Sequence, residues 1–127
     1  MDLQILLPEL KQKFGRYVTI DYILPNVIFY STVSEYLKSH SLNEFKVLDV
    51  GSSYGYGIYI MYIMSKLCPN WIFTGIDINK TAISVATDIL RSDNINFEIV
   101  NMVYKKQVSQ FIKKIWAIRC NNMFRSF

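Results

Sequence analysis

Half of a doubly wound α/β fold, with three parallel strands in β-α-β-α-β order, is the architecture this sequence predicts. Two observations carry the prediction. Short apolar segments at 45–50, 71–76 and 96–100 alternate with helical patterns, and strands separated by helices of about 10–15 residues pair in parallel through right-handed crossovers. The first segment runs into the loop Asp49-Val-Gly-Ser-Ser-Tyr-Gly55 and the second ends at Asp77. A tight turn and an acid therefore arrive together at the carboxyl ends of the strands, where open parallel sheets bind ligands.

The elements follow in order. Pro8 to Phe14, with Gly15 after it, suits a short helix with proline in its first turn and glycine past its end. Tyr17 to Leu24 reads as irregular or weakly extended, stopping before Pro25. Asn26 is a good N-cap for a helix to about Ser39, and Phe29, Val33 and Tyr36, with Tyr30 and Leu37 beside them, give it an apolar stripe. After a polar loop comes the strand Phe45–Val50. A helix over about 54–67, ending before Pro69, is apolar on nearly every side and belongs in the interior.

The second strand, Trp71 to Ile76, ends at Asp77. A helix from about Lys80 to Arg91 follows, capped by Asn79 or Thr81, with Ala82, Ile83, Ala86, Ile89 and Leu90 facing the core. The third strand, Asn96–Val100, alternates Phe97 and Ile99 with other positions. Beyond it Val108, Phe111, Ile112, Ile115 and Trp116 share one helical face while Lys105, Lys106, Lys113 and Lys114 lie elsewhere, so a basic amphipathic helix is expected over about 103–119. The expected organisation is one domain: a helical region at 1–44, a β-α-β-α-β core at 45–101 and a basic helical tail at 102–127.

Composition narrows the classes of function. The chain has 127 residues, 51% of them hydrophobic, enough for a single folded core rather than a disordered segment. Cys68 and Cys120 are far apart and outside any CxxC or Cys/His cluster, and His40 is the only histidine. Unpaired thiols in a reducing compartment and no metal site are the expectation. His40 reads as a surface residue at a helix end. The longest apolar run, Ile58 to Met64, cannot span a bilayer, and with no targeting segment at the N-terminus a cytoplasmic protein is expected. Charge divides the chain sharply. Residues 99–127 hold six basic residues and no acid, so that this part carries +6 of a net +4 and the first 98 residues carry −2.

The loop and the acid have a shared chemistry. Gly51 lets the chain turn sharply off the first strand with no Cβ to obstruct a ligand. Gly55 lets the next helix start close to the sheet, and the free N–H groups at that helix start face the ligand. Asp77, 26 residues after Gly51, can accept hydrogen bonds from both ribose hydroxyls of an adenosine-containing cofactor. Glycines at 51, 55 and 57 do not give the G-x-G-x-x-G spacing of a dinucleotide site.

Val47-Leu-Asp-Val-Gly-Ser-Ser-Tyr-Gly55 resembles the first motif of the class I S-adenosylmethionine (SAM)-dependent methyltransferases. Phe73-Thr-Gly-Ile-Asp77-Ile-Asn resembles their second motif, and Asn96-Phe-Glu-Ile-Val-Asn101 their third strand. The resemblance implies that SAM is the cofactor. It implies that Asp49, Gly51, Ser53 and Gly55 surround its methionine portion and the near side of the ribose, that Asp77 holds the ribose hydroxyls, and that Ile78 packs against adenine. Ser53 replaces the usual middle glycine. Asn101 stands where many members have an acid reaching the adenine amine, and could offer an amide acceptor instead.

The likeness covers about Leu42 to Asn101. The fourth strand, which in the family lies beside the first and helps orient the methyl acceptor, has no counterpart, and there is no Asp/Asn-Pro-Pro-Tyr/Phe motif or Pro-Cys nucleophile. No catalytic residue is assigned. The resemblance thus implies the N-terminal half of a methyltransferase, truncated, with an unidentified acceptor. Tyr17, Tyr22 and Tyr30 could line an acceptor pocket, although core or surface aromatics are the commoner case. An unpaired first-strand edge would be covered by the tail helix, by a partner chain or second copy, or left open in a shortened product. A non-catalytic binding or interaction module is the alternative. The basic tail could also bind nucleic acid or an anionic membrane, though a solvated basic face is the more common outcome.

Overall fold

A computed structural model describes residues 3–40, 44–65 and 70–114. The elements are α1 (Leu3–Phe14), α2 (Ile20–Ser39), β1 (Phe45–Val50), α3 (Tyr56–Met64), β2 (Trp71–Asp77), α4 (Lys80–Ile89) and β3 (Ile95–Ile99), followed by helical residues 105–114, here α5. Strand order is β1-β2-β3 with both pairings parallel. The predicted α/β architecture, half of a doubly wound parallel sheet, is therefore present. Cys68, Cys120 and the expected apolar positions Ile115 and Trp116 lie outside the described residues.

Register sorts the side chains. Phe45 pairs with Trp71, Val47 with Phe73 and Asp49 with Gly75, and Phe73 and Gly75 pair in turn with Ile95 and Phe97. Side chains alternate across a strand, so these residues share one face, and α3 and α4 cover it. Trp71, Phe73, Ile58, Ile60 and Met61 are fully or almost fully buried in the principal core, with Leu90 from the end of α4. Removing the Trp71 ring would cost about 3–5 kcal/mol. Outside α3 lie α1 and α2: Phe14 meets the rings of Tyr56 and Tyr59, and Glu9 accepts a hydrogen bond from the Tyr59 hydroxyl.

The opposite face is covered in part. Phe111 of α5 packs on Ile76 and Val100, and Lys114 forms an ion pair with Glu98. Leu48 and Val50 of β1 remain 44% and 54% exposed, with Ile72 beside them. Among the described residues the tail helix therefore lies over β2 and β3 and leaves the outer edge of β1 unpaired.

The N-terminal helices depart from expectation at both prolines. Pro8 lies inside α1, which starts at Leu3. Pro25 and Asn26 lie inside α2, whose N-cap is Thr19. Proline lacks one N–H and disfavours helix in the residue before it, but buried Ile23 and Val27 flank Pro25 and anchor both sides to the core. Asn26 caps nothing; its Nδ2 donates to the Tyr22 carbonyl at 2.9 Å. The buried face of α2 is Ile23, Val27 and Ser34, with Tyr30, Val33 and Leu37 packed beside it. Phe29 and Tyr36 point outward, because a helix begun seven residues earlier already commits its inner face at Ile23 and Val27.

The later elements match expectation more closely. Asn79 caps α4, its Oδ1 accepting the Ala82 N–H at 3.1 Å, and Ala82, Ile83, Ala86 and Leu90 are buried. His40 is the exposed residue ending α2, as expected. Among the described residues no helix is long and apolar enough to cross a membrane.

Candidate functional site

The loop after β1 is built from three left-handed residues. Gly51, Ser53 and Gly55 have φ of 73°, 52° and 90°. This conformation is free to glycine and costs other residues about 1–2 kcal/mol. Ser53 accepts that cost at the position where the methyltransferase motif usually has its middle glycine. Around it the chain is tied to the end of β2. The N–H groups of Gly51 and Ser52 both donate to the Ile76 carbonyl, at 2.8 and 2.9 Å, and the Gly55 N–H donates to the Ser52 carbonyl at 2.9 Å.

Asp77 completes the tie. Its Oδ2 accepts the Ser53 N–H at 2.8 Å and its Oδ1 accepts the Asn79 N–H at 2.9 Å. Of the loop N–H groups, only that of Ser53 reaches this carboxylate; those of Gly51, Ser52 and Gly55 are taken by carbonyls. An ionised carboxylate offers about four acceptor positions, so Asp77 keeps capacity for further donors, such as hydroxyls. Ile78, next in the chain, is exposed.

The glycines differ in what they make room for. A Cβ at Gly51 would meet no atom within 4 Å, so its glycine serves the turn and leaves open space above the loop. A Cβ at Gly55 would lie 2.9 Å from Phe97 Cζ and 3.1 Å from Leu90 Cδ1. Close packing of α3 against β3 and the end of α4 requires its absence.

Asp49 lies on the same sheet face as Asp77. The Tyr30 hydroxyl, from α2, donates across both of its oxygens at 3.0 and 3.1 Å. Burial raises the Asp49 carboxyl above the ordinary range; the bond from Tyr30 pulls it down, and the Asp77 charge pushes it up again. Burial, then the neighbouring Asp49 charge, drives the Tyr30 phenol upward. Neither Asp49 nor Asp77 forms an ion pair among the described residues. Ser52 adds a buried Oγ with no hydrogen-bond partner. The loop and the end of β2 thus bring together two carboxylates without a countercharge among the described residues, chemistry suited to a cationic, hydroxyl-bearing ligand.

Of the residues expected from sequence, Asp49, Gly51, Ser53, Gly55, Asp77 and Ile78 are gathered at the carboxyl ends of β1 and β2. Asn101 lies at the turn that follows β3. Its Oδ1 accepts the Val103 N–H and its own N–H donates to Gln107 Oε1, both at 3.0 Å, so it organises the turn into α5. Among the described residues no group of three or more His, Cys, Asp or Glu could hold a metal ion. Sequence reasoning missed the Tyr30–Asp49 contact. The available signal was Gly57, a glycine in an otherwise apolar helix, which usually has a packing reason.

No family model and no curated protein matches this chain. Parts of several solved methyltransferase structures are similar to it. A SAM-dependent methyltransferase from Anabaena variabilis is 16% identical over 84% of this chain and 43% of that one, with a TM-score of 0.48. The plantazolicin methyltransferase BpumL, in complex with a pentazolic desmethylPZN analog and SAH, is 26% identical over 69% of this chain and 31% of its own, with a TM-score of 0.42. PKMT2 from Rickettsia typhi is 21% identical over 46% of this chain and 11% of its own, with a TM-score of 0.38. This chain therefore spans less than half the length of each.

Proposed function

We propose that the chain carries the SAM-binding half of a class I methyltransferase fold, with the cofactor seated over the loop Asp49–Gly55. The observation that carries this reading is Asp77 at the end of β2, locked to the Ser53 N–H of a left-handed loop with space above Gly51. In this reading Asp77 accepts the ribose hydroxyls with its remaining lone pairs and exposed Ile78 lies against the adenine. Asp49, Gly51, Ser53 and Gly55 enclose the methionine end, where the two carboxylates offset its ammonium and sulfonium charges. Asn101 offers its amide oxygen, which accepts one N–H from Val103 and has a second lone pair, to the adenine amine. SAM, when bound, supplies a methyl group on a good leaving group; the protein's part is to orient an acceptor beside it and exclude water.

Calorimetry on the purified chain tests this. SAM and SAH should bind and NAD should not. Asp77→Ala should weaken SAM by about tenfold to a hundredfold, since hydrogen bonds to a charged group contribute about 1.5–3 kcal/mol each. Failure of both SAM and SAH to bind would remove the reading.

The methyl acceptor and the groups that orient it belong to a second question. Leu48 and Val50, exposed beside the unpaired edge of β1, favour a reading in which a partner chain, a second copy or further polypeptide completes the sheet, and this chain alone binds without turnover. Radiolabelled SAM offered with a cell extract separates the two. Label transfer that Asp77→Ala abolishes, and that persists when the extract is replaced by its protein-free or denatured acceptor fraction, means catalysis by the chain as it stands. The basic surface of α5 is read as a solvated face.

A further inference from the structure

Tyr30 reaches Asp49 through a gap in α3. A side chain at Gly57 would overlap the Tyr30 ring, whose Cε1 lies 2.7 Å from where a Cβ would stand. In a helix otherwise lined by Tyr56, Ile58, Tyr59, Ile60 and Met61, all buried, this is the place where a ring from α2 can pass inward. The phenol then meets both oxygens of Asp49 at 3.0 and 3.1 Å. We infer that Tyr30 is a positioning residue of the cofactor site: its hydroxyl fixes the Asp49 carboxylate in one orientation, as the anion against which the cationic end of the ligand binds. The inference rests on the SAM-binding reading above.

The surroundings of Asp49 leave that task to Tyr30. α2 contributes Tyr30 itself, with Tyr22 near it; α3 contributes Tyr56; β2 contributes Asp77. These groups are neutral or anionic, so none of them favours the ionised carboxylate by charge. A hydrogen bond donated to the charged form does favour it. Burial and the Asp77 charge act the other way. Without the phenol, Asp49 should hold its proton to higher pH and lose its fixed orientation.

The experiment has a ligand-free arm and a ligand arm. The carboxyl carbon of Asp49 is titrated by NMR in wild type, Tyr30→Phe and Gly57→Ala, with Asp49→Asn for assignment. Both variants should move the Asp49 midpoint upward. Gly57→Ala keeps every polar atom and only displaces the ring, so agreement between the two assigns the effect to the contact. If Gly57→Ala fails to fold, Tyr30→Phe carries the comparison. In the ligand arm, SAM affinity is measured from pH 8 to pH 5. The wild-type to Tyr30→Phe ratio should widen as pH falls, and in an Asp49→Asn background Tyr30→Phe should change affinity less than twofold. An Asp49 midpoint that stays put, or an affinity ratio independent of pH, overturns the inference while leaving SAM binding intact. Absence of SAM binding to the wild type overturns the functional reading, and the cofactor role of Tyr30 with it, whatever the titration shows.

Discussion

The Ser53 N–H donates to Asp77 Oδ2 at 2.8 Å, joining the loop after β1 to the residue that ends β2. In the proposed reading one carboxylate therefore has two duties, holding the loop in shape and facing the ligand. Substitution at Asp77 should injure both. Asp77→Asn retains one acceptor oxygen but sets an amide N–H against a backbone N–H. It should lower stability by about 1–3 kcal/mol, read as a fall in the denaturant midpoint without ligand, besides weakening SAM.

Ser53→Gly should stabilise the chain. Relief of a left-handed serine returns about 1–2 kcal/mol, offset by roughly 0.5–1 kcal/mol from the greater freedom of glycine in the unfolded chain. The expected net gain is about 0.5–1 kcal/mol, measured by urea unfolding. Ser53→Val, β-branched at a positive φ, should go the other way by more than about 1 kcal/mol. Equal midpoints for all three would contradict the backbone geometry.

Gly51→Ala and Gly55→Ala should separate ligand binding from packing. Alanine at Gly55 meets Phe97, Leu90 and Ala86 in addition to its unfavourable φ, and should cost about 2–4 kcal/mol of stability. Alanine at Gly51 meets nothing and should cost only about 1 kcal/mol, while its methyl projects into the space assigned to the cofactor and lowers SAM affinity at least tenfold. Thermal melts and calorimetry on the pair decide the matter.

Alkali should weaken the fold before it touches the sheet. Tyr30, Tyr56 and Tyr59 all have phenol pKa values raised above the ordinary 10.0, with burial as the largest cause in each. A folded pKa above the unfolded one means that the folded state keeps its protons longer. The contribution is whole below pH 10 and is lost as pH rises through the folded values. Asp49 has the same sign at the acid end: its contribution is greatest below the ordinary carboxylate value of 3.8 and declines as pH rises toward its raised folded value. Urea midpoints should therefore fall steeply above pH 10, and Tyr30→Phe should flatten that fall.

The sheet and half of the site were legible in the sequence because both are local. Strand, loop, helix and terminal acid succeed one another along Phe45–Asp77, so spacing alone brings Asp49, Gly51, Ser53, Gly55 and Asp77 to one end of the sheet. The N-terminal helices were less legible. Pro8 and Pro25 mark boundaries in an isolated chain, but Leu6, Leu10, Ile23 and Val27 gain enough by burial to carry the helices through them. The contact of Tyr30 with Asp49 was hidden for a related reason. Asp49 lies 19 residues from Tyr30, and the inward path of the ring depends on a side chain that Gly57 lacks. No periodicity within α2 encodes a gap in α3.

That gap ties together three positions distant along the chain. Chains of this kind that carry a larger residue at position 57 should lack an aromatic at position 30, and the acid at position 49 should then be matched by a donor from elsewhere or be replaced. Positions 30, 49 and 57 are expected to change as a set across evolution, which makes their joint variation a record of selection on the contact.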